Sequence, residues 1–100
     1  MGIELSRDER IADVLRRPEV YETRNLEEAI AFFAGFDAAT EFALLDGFGA
    51  WLSRHGGDGA NLTWAVQVTR LVTRRLGPDA GAAERRDEFF RLVREFLARS

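Results

Sequence analysis

One hundred residues, of which 46% are hydrophobic, are enough for one domain with a core of its own. The chain has no cysteine, which excludes disulfides, and its one histidine, His55, leaves zinc with carboxylates as its other protein ligands. The net charge is −3 and all fourteen basic residues are arginine. We therefore expect no metal, no cofactor and no nucleic-acid partner.

We expect a cytoplasmic protein. The N-terminus is polar and a charged segment begins at Glu4, so no signal peptide is predicted. The longest charge-free runs, residues 29–36 and 61–69, are far shorter than the roughly 20 residues that cross a bilayer. The sequence therefore predicts no membrane association.

The first helix is predicted over residues 7–16. Ser6 and Glu9 have the spacing of a capping box at its start. Pro18 ends it, because a proline pushes the residue before it out of helical geometry. Residues 18–24 then have the composition of an irregular connector.

The second helix is predicted to be the central one. Asn25 is a favourable N-cap with Glu28 three residues on. Small residues line the side opposite its bulky face, so we expect neighbours on both sides, with Gly35 needed for close packing. A short break is predicted near residues 38–40. The bulky face consists of Leu26, Ala29, Ile30, Phe33 and Phe36.

Three more helices are predicted. The third covers residues 41–55 and ends at the glycines of residues 56–59; the fourth is capped by Asn61 and stopped by Pro78. The fifth covers residues 82–99. Their apolar positions recur at helical spacing, and we expect Trp64 to be largely buried. The predicted fold is all-α, a compact single-domain bundle of about five helices over residues 1–100.

No catalytic set emerges from the sequence. A nucleophile needs a neighbouring base, and the serines have none within a recognisable motif. His55 and Asp58 form a histidine–x–x–aspartate pair without further ligands, and His55 also falls on the apolar arc of the third helix. We expect a histidine packed on the core and a protein that is not an enzyme.

The residues Arg16-Arg-Pro-Glu-Val-Tyr21 resemble the RRPGMY opening of two kinds of bacterial protein. One is the ATPase domain of type II topoisomerases. That resemblance ends with the motif: Glu19 replaces its glycine, no glycine follows Tyr21, and the chain is too short for the ATP-binding sheet.

The other is a loosely defined set of small, largely uncharacterised bacterial all-helical proteins with an arginine-proline-x-x-tyrosine opening. The later elements of that set are similar to Gly35-Phe36, Phe48 with Trp51-Leu52, Thr63-Trp64, and the phenylalanines from Phe89 to Phe96. The resemblance implies a helical fold and an immunity or accessory role in bacterial conflict systems.

Charge is unevenly distributed along the chain, with −6 on residues 1–50 and +3 on residues 51–100. The charge distribution leads us to expect a non-enzymatic interaction module with an acidic surface. The resemblance makes this more concrete and implies an immunity-type inhibitor that binds a basic bacterial toxin domain. Tyr21 would be its aromatic anchor. The alternatives are a solvated acidic face and a tyrosine packed on the first helix. The carboxylates of the surface would be Glu22, Glu27, Glu28, Asp37, Glu41 and Asp46.

A second hypothesis belongs to another class. The protein would be a small-molecule-binding or regulatory domain whose pocket lies between helices, lined by Trp51, Trp64 and phenylalanines. The alternative for these aromatic residues is that they fill the core.

Overall fold

The computed structural model describes residues 7–21, 23–56 and 62–99. It contains the helices α1 (Arg7–Arg16), α2 (Leu26–Ala39), α3 (Phe48–Arg54), α4 (Trp64–Leu76) and α5 (Ala82–Ala98). No strand occurs in these ranges, which confirms the predicted all-α class. None of the helices within them combines the length and apolar character needed to cross a bilayer.

Helix α1 has the predicted bounds, whereas the segment after it is more regular than expected. Pro18–Tyr21 form one turn of 3-10 helix instead of an irregular connector. Thr23 closes this turn, since its hydroxyl donates to the Pro18 carbonyl at 2.9 Å. Ser6, the predicted cap of α1, lies outside the described residues.

Helix α2 begins as predicted. The Asn25 side chain accepts the Glu28 N–H at 2.8 Å, and the Glu28 carboxylate accepts the Arg24 N–H at 3.0 Å. The expectation of neighbours on both sides is wrong. The small-residue side of α2 is exposed, and a Cβ added at Gly35 would meet no atom within 4 Å. Close packing therefore does not explain this glycine.

The central position belongs to α5 and not to α2. Helix α5 packs against both α2 and α4. Phe33 of α2 meets Phe89 and Phe90 of α5 at centroid distances of 5.7 and 6.0 Å, and Phe48 of α3 meets Phe96 at 4.9 Å. Helix α5 is central because one broad buried face of it meets α2, α3 and α4.

Helices α3 and α4 both begin later than predicted. Helix α3 starts at Phe48 instead of residue 41, and residues 40–47 form a loop. Thr63 caps α4, because its hydroxyl oxygen accepts a hydrogen bond from the Val66 N–H at 3.5 Å. The predicted cap, Asn61, lies outside the described residues. Trp64 is half-buried, less than predicted, because it is the first residue of α4. Its ring stacks on Phe89.

Candidate functional site

The most unusual backbone of the described chain is in the α2–α3 loop, residues 40–47. Glu41 and Phe42 have φ angles of 56° and 63°, in the left-handed region that residues other than glycine rarely adopt. The Glu41 N–H donates to the Ala38 carbonyl at 3.1 Å, and the Phe42 N–H to the Asp37 carbonyl at 2.8 Å. These two bonds are those of a Schellman motif, in which glycine is the usual residue at the position of Glu41.

Two side chains hold the loop against the body of the protein. The Asp37 carboxylate accepts the N–H of buried Leu45 at 2.9 Å. The Thr40 hydroxyl donates to the Asp37 carbonyl at 2.9 Å and accepts a hydrogen bond from the Leu44 N–H at 3.2 Å. Leu44 and Leu45 then enter the core, so the loop is fastened at both ends. Its shape is consequently ordered and not that of a free connection.

Phe42 is exposed at the tip of this fastened loop. Its side chain is 68% exposed, and of the other large apolar residues in the described ranges only Val20 and Val66 are also exposed. Glu41 and Asp46, on the same loop, are exposed as well. The structure therefore presents an aromatic ring together with two carboxylates on an ordered support.

The predicted acidic residues do not form one surface. Glu27 and Glu28 are exposed in the first turn of α2, while Glu41 and Asp46 lie beyond its last residue. A helix of 14 residues is about 21 Å long, so the two pairs are at opposite ends of α2. Asp37 is buried, with 8% exposure, because it holds the loop. Glu22 lies outside the described residues.

Tyr21, the predicted anchor, is half-buried and engaged within the protein. Its hydroxyl donates to the Asp13 carboxylate at 2.7 Å, and its ring meets Phe32 edge-on at 5.7 Å. Asp13 also accepts from Arg17 at 2.6 and 2.9 Å and from Arg16 at 2.8 Å. The arginine–arginine–proline–x–x–tyrosine motif is thus a local fastening of the 3-10 turn to α1.

Hydrogen bonds to the Asp13 carboxylate change the ionisation of this residue. Arg17 above all, and then Tyr21, hold the pKa of the Asp13 carboxyl well below its usual range by bonding to its charged form. The hydrogen bond between Tyr21 and Asp13 also raises the pKa of the Tyr21 hydroxyl. The spacing of Asp13 from the two arginines, three and four residues, was the sequence signal for this cluster.

We predict that the Asp13 cluster makes stability depend on pH in acid. Because the folded pKa is lowered, the contribution of Asp13 is complete above the unfolded pKa of about 3.9 and is lost as the pH falls below it. Between about pH 7 and about pH 3, the wild type should lose more of its free energy of unfolding than Asp13→Asn. Urea denaturation at both pH values measures the difference. Equal losses would contradict the role assigned to Asp13.

The aromatic residues proposed for a ligand pocket pack on one another. Phe48 lies 6.0 Å from Trp51 and 5.6 Å from Trp64, and Trp64 stacks on Phe89 at 6.0 Å with an angle of 6° between the rings. Neither tryptophan lines the groove between α1 and α5 or the groove between α2 and α4. The contacts favour the interpretation that these residues fill the core.

His55 is at the end of α3, stacked on the Trp51 ring at 4.1 Å. Its Nδ1 lies 2.7 Å from the Trp51 carbonyl. Within the described ranges, no three histidine, aspartate or glutamate residues are grouped as metal ligands would be. Asp58, the other member of the predicted pair, lies outside them.

Sequence reasoning missed Phe42. A weak signal was present, because Phe42 falls off the apolar arc that Leu45, Phe48 and Leu52 share at 100° per residue.

Comparison of the chain with protein-family models, with curated proteins and with solved structures found no match.

Proposed function

We propose that the protein is a non-enzymatic interaction module that binds a basic region of another protein through the α2–α3 loop. The observation that carries this proposal is the exposed Phe42 on an ordered backbone of positive φ. The predicted carboxylates Glu41 and Asp46 are on the same loop and supply the charge.

The loop has features that lower stability. A residue other than glycine in left-handed geometry costs about 1–2 kcal/mol, and two adjacent residues of this loop have that geometry. An exposed phenylalanine also forgoes the free energy of burial. Departures from local rules of this kind are concentrated at functional sites, and a binding role gives both of them a reason.

The loop is also suited to binding. The bonds from Asp37 and Thr40 hold it before any partner arrives, so little conformational entropy would be lost on association. Aromatic side chains are enriched in the buried centres of interfaces, where charged residues are depleted. Phe42 suits the centre, and the two carboxylates suit a rim that attracts a basic surface and accelerates encounter.

In its most specific form, the partner is a basic bacterial toxin domain and this protein is its immunity-type inhibitor in the cytoplasm. The resemblance of the Arg16–Tyr21 segment to small bacterial helical proteins supports this form. Tyr21 contributes indirectly, by fastening the 3-10 turn to Asp13. The pair Glu27 and Glu28 lies at the other end of α2 from the loop that carries Phe42.

The test is a binding measurement with the product of the adjacent gene, by association and dissociation rates at two salt concentrations. Phe42→Ser should weaken binding by at least about 30-fold, equivalent to a hot spot of about 2 kcal/mol, mainly through faster dissociation. Glu41→Gln with Asp46→Asn should slow association at low salt and leave dissociation almost unchanged.

The matched control is Glu27→Gln with Glu28→Gln, which removes the same charge from the other end of α2. This variant should slow association less than the loop variant does, because its charges lie about 21 Å farther from the contact and salt screens them more strongly. Equal effects of the two double variants would show that the acidic residues at both ends of α2 attract the partner alike and would contradict the role of the loop. Full affinity in Phe42→Ser would also contradict it.

A further inference from the structure

A groove lies directly beside the α2–α3 loop. It has a volume of about 570 Å³ and runs between α1 and the last turns of α5. Ala43 and Leu44 of the loop form part of its wall, so loop and groove are continuous. The other residues that line it are Ile11, Ala12, Leu15, Arg94, Leu97, Ala98 and Arg99.

The groove and the loop have complementary chemistry. The groove combines an aliphatic lining with two exposed guanidinium groups, those of Arg94 and Arg99. The loop combines the ring of Phe42 with the exposed carboxylates of Glu41 and Asp46. An apolar side chain flanked by acids therefore matches an apolar groove flanked by bases.

Both arginines can accept such a contact. Arg94 uses one Nη to donate to the Leu15 carbonyl at 3.1 Å, and Arg99 uses one to donate to the Phe96 carbonyl at 2.8 Å. A guanidinium has five N–H donors, so several remain on each side chain. The Arg99 guanidinium is also held 3.7 Å from the centre of the Phe96 ring, which positions it beside the groove.

We propose that the protein self-associates as a symmetric dimer in which Phe42 of each copy enters the groove of the other. A two-fold interface requires a surface patch that complements itself, and here the apolar element and its receptor are adjacent on one chain with opposite charges. The charge match selects a second copy as the occupant, because a second copy brings Glu41 and Asp46 to Arg94 and Arg99 twice.

The dimer should be weak. Its centre consists of two phenylalanine rings, each with at most about 150–250 Å² to bury, which is small beside the roughly 1,600 Å² of a standard interface. We expect a dissociation constant of roughly 100 µM. The dimer covers the residue that the proposed function uses, so self-association and partner binding exclude each other, but the dimer itself does not depend on the identity of any partner.

Sedimentation equilibrium of the full chain alone tests the proposal. From about 5 µM to about 500 µM, the weight-average mass should rise from one chain towards two. Phe42→Ser should weaken the dimer at least tenfold, whereas Val66→Ser, which alters another exposed apolar residue away from the groove, should not. Circular dichroism of each variant checks that it remains folded.

A charge exchange then identifies the groove as the receptor. One variant carries Glu41→Arg with Asp46→Arg, and the other carries Arg94→Glu with Arg99→Glu. Each should be monomeric alone, because its loop and groove repel, and an equimolar mixture should dimerise, because both contacts of the mixed pair have opposite charges.

Three results would overturn the proposal. They are a wild type that stays monomeric throughout the range, a dimer that survives Phe42→Ser, and folded charge variants whose mixture fails to associate. These results concern the protein alone. They are therefore distinguishable from failure of the proposed partner binding, which is measured with a second protein.

Discussion

Replacing Phe48 by alanine is expected to lower the free energy of unfolding by about 3–5 kcal/mol. The side chain is 0% exposed and joins three helices. Its ring lies 6.0 Å from Trp51 in α3, 5.6 Å from Trp64 in α4 and 4.9 Å from Phe96 in α5. Alanine would leave a cavity at this junction, and rings packed from several helices cannot collapse into it without losing their other contacts.

Urea denaturation followed by far-ultraviolet circular dichroism measures this loss. Phe42→Ala is the matched control, because it removes the same atoms from a ring that is 68% exposed and should change the midpoint little. Since a small domain has a total stability of about 5–15 kcal/mol, Phe48→Ala should lose a large part of it. Similar midpoints for the two variants would contradict the assigned packing.

Replacing Arg86 by leucine is expected to cost about 1–3 kcal/mol, the penalty for leaving a buried polar group without its partner. Arg86 is a buried cation of α5, and its Nη1 donates to the Thr23 carbonyl at 3.4 Å. It also approaches Glu19 at 3.5 Å and donates to Asp87 at 2.9 Å. Leucine keeps much of the apolar volume, but the carbonyl of Thr23, a residue only 1% exposed, loses this donor.

The control for Arg86 is Arg94→Leu, because Arg94 also donates to a backbone carbonyl, that of Leu15, but does so from an exposed position. Water can replace that donor, so the loss of stability should be smaller. Denaturation midpoints of the two variants give the comparison. If Arg94→Leu lowered the free energy of unfolding as much as Arg86→Leu, burial of the hydrogen bond to the Thr23 carbonyl would not explain the contribution of Arg86.

The helix boundaries that sequence predicted well depend on neighbouring residues. Pro18 ends α1 through its ring, and Asn25 begins α2 by accepting an N–H three residues later. The apolar arc of α5 also follows from spacing alone, and its phenylalanines are buried. These features were predictable because each is decided within about one turn of helix.

The beginning of α3 was not predictable in that way. Residues 41–47 keep a helical period, yet they form a loop because Asp37 accepts the Leu45 N–H eight residues along the chain and Leu44 and Leu45 enter the core. Glu41 and Asp46 of the candidate site were predicted from the sequence, whereas Phe42 was not. The exposure of Phe42 follows from the fastening of the loop and not from its own preference.

Spacing and capping residues were sufficient to predict the all-α class, the end of α1, the start of α2 and the apolar face of α5. Contacts between distant elements, and not local spacing, make α5 central, leave the back of α2 exposed at Gly35 and engage Asp37 in supporting a loop instead of an acidic surface. The reason is physical. Caps and periodicity act between residues a few positions apart, whereas exposure and the use of a carboxylate depend on which distant elements the folded core brings against it.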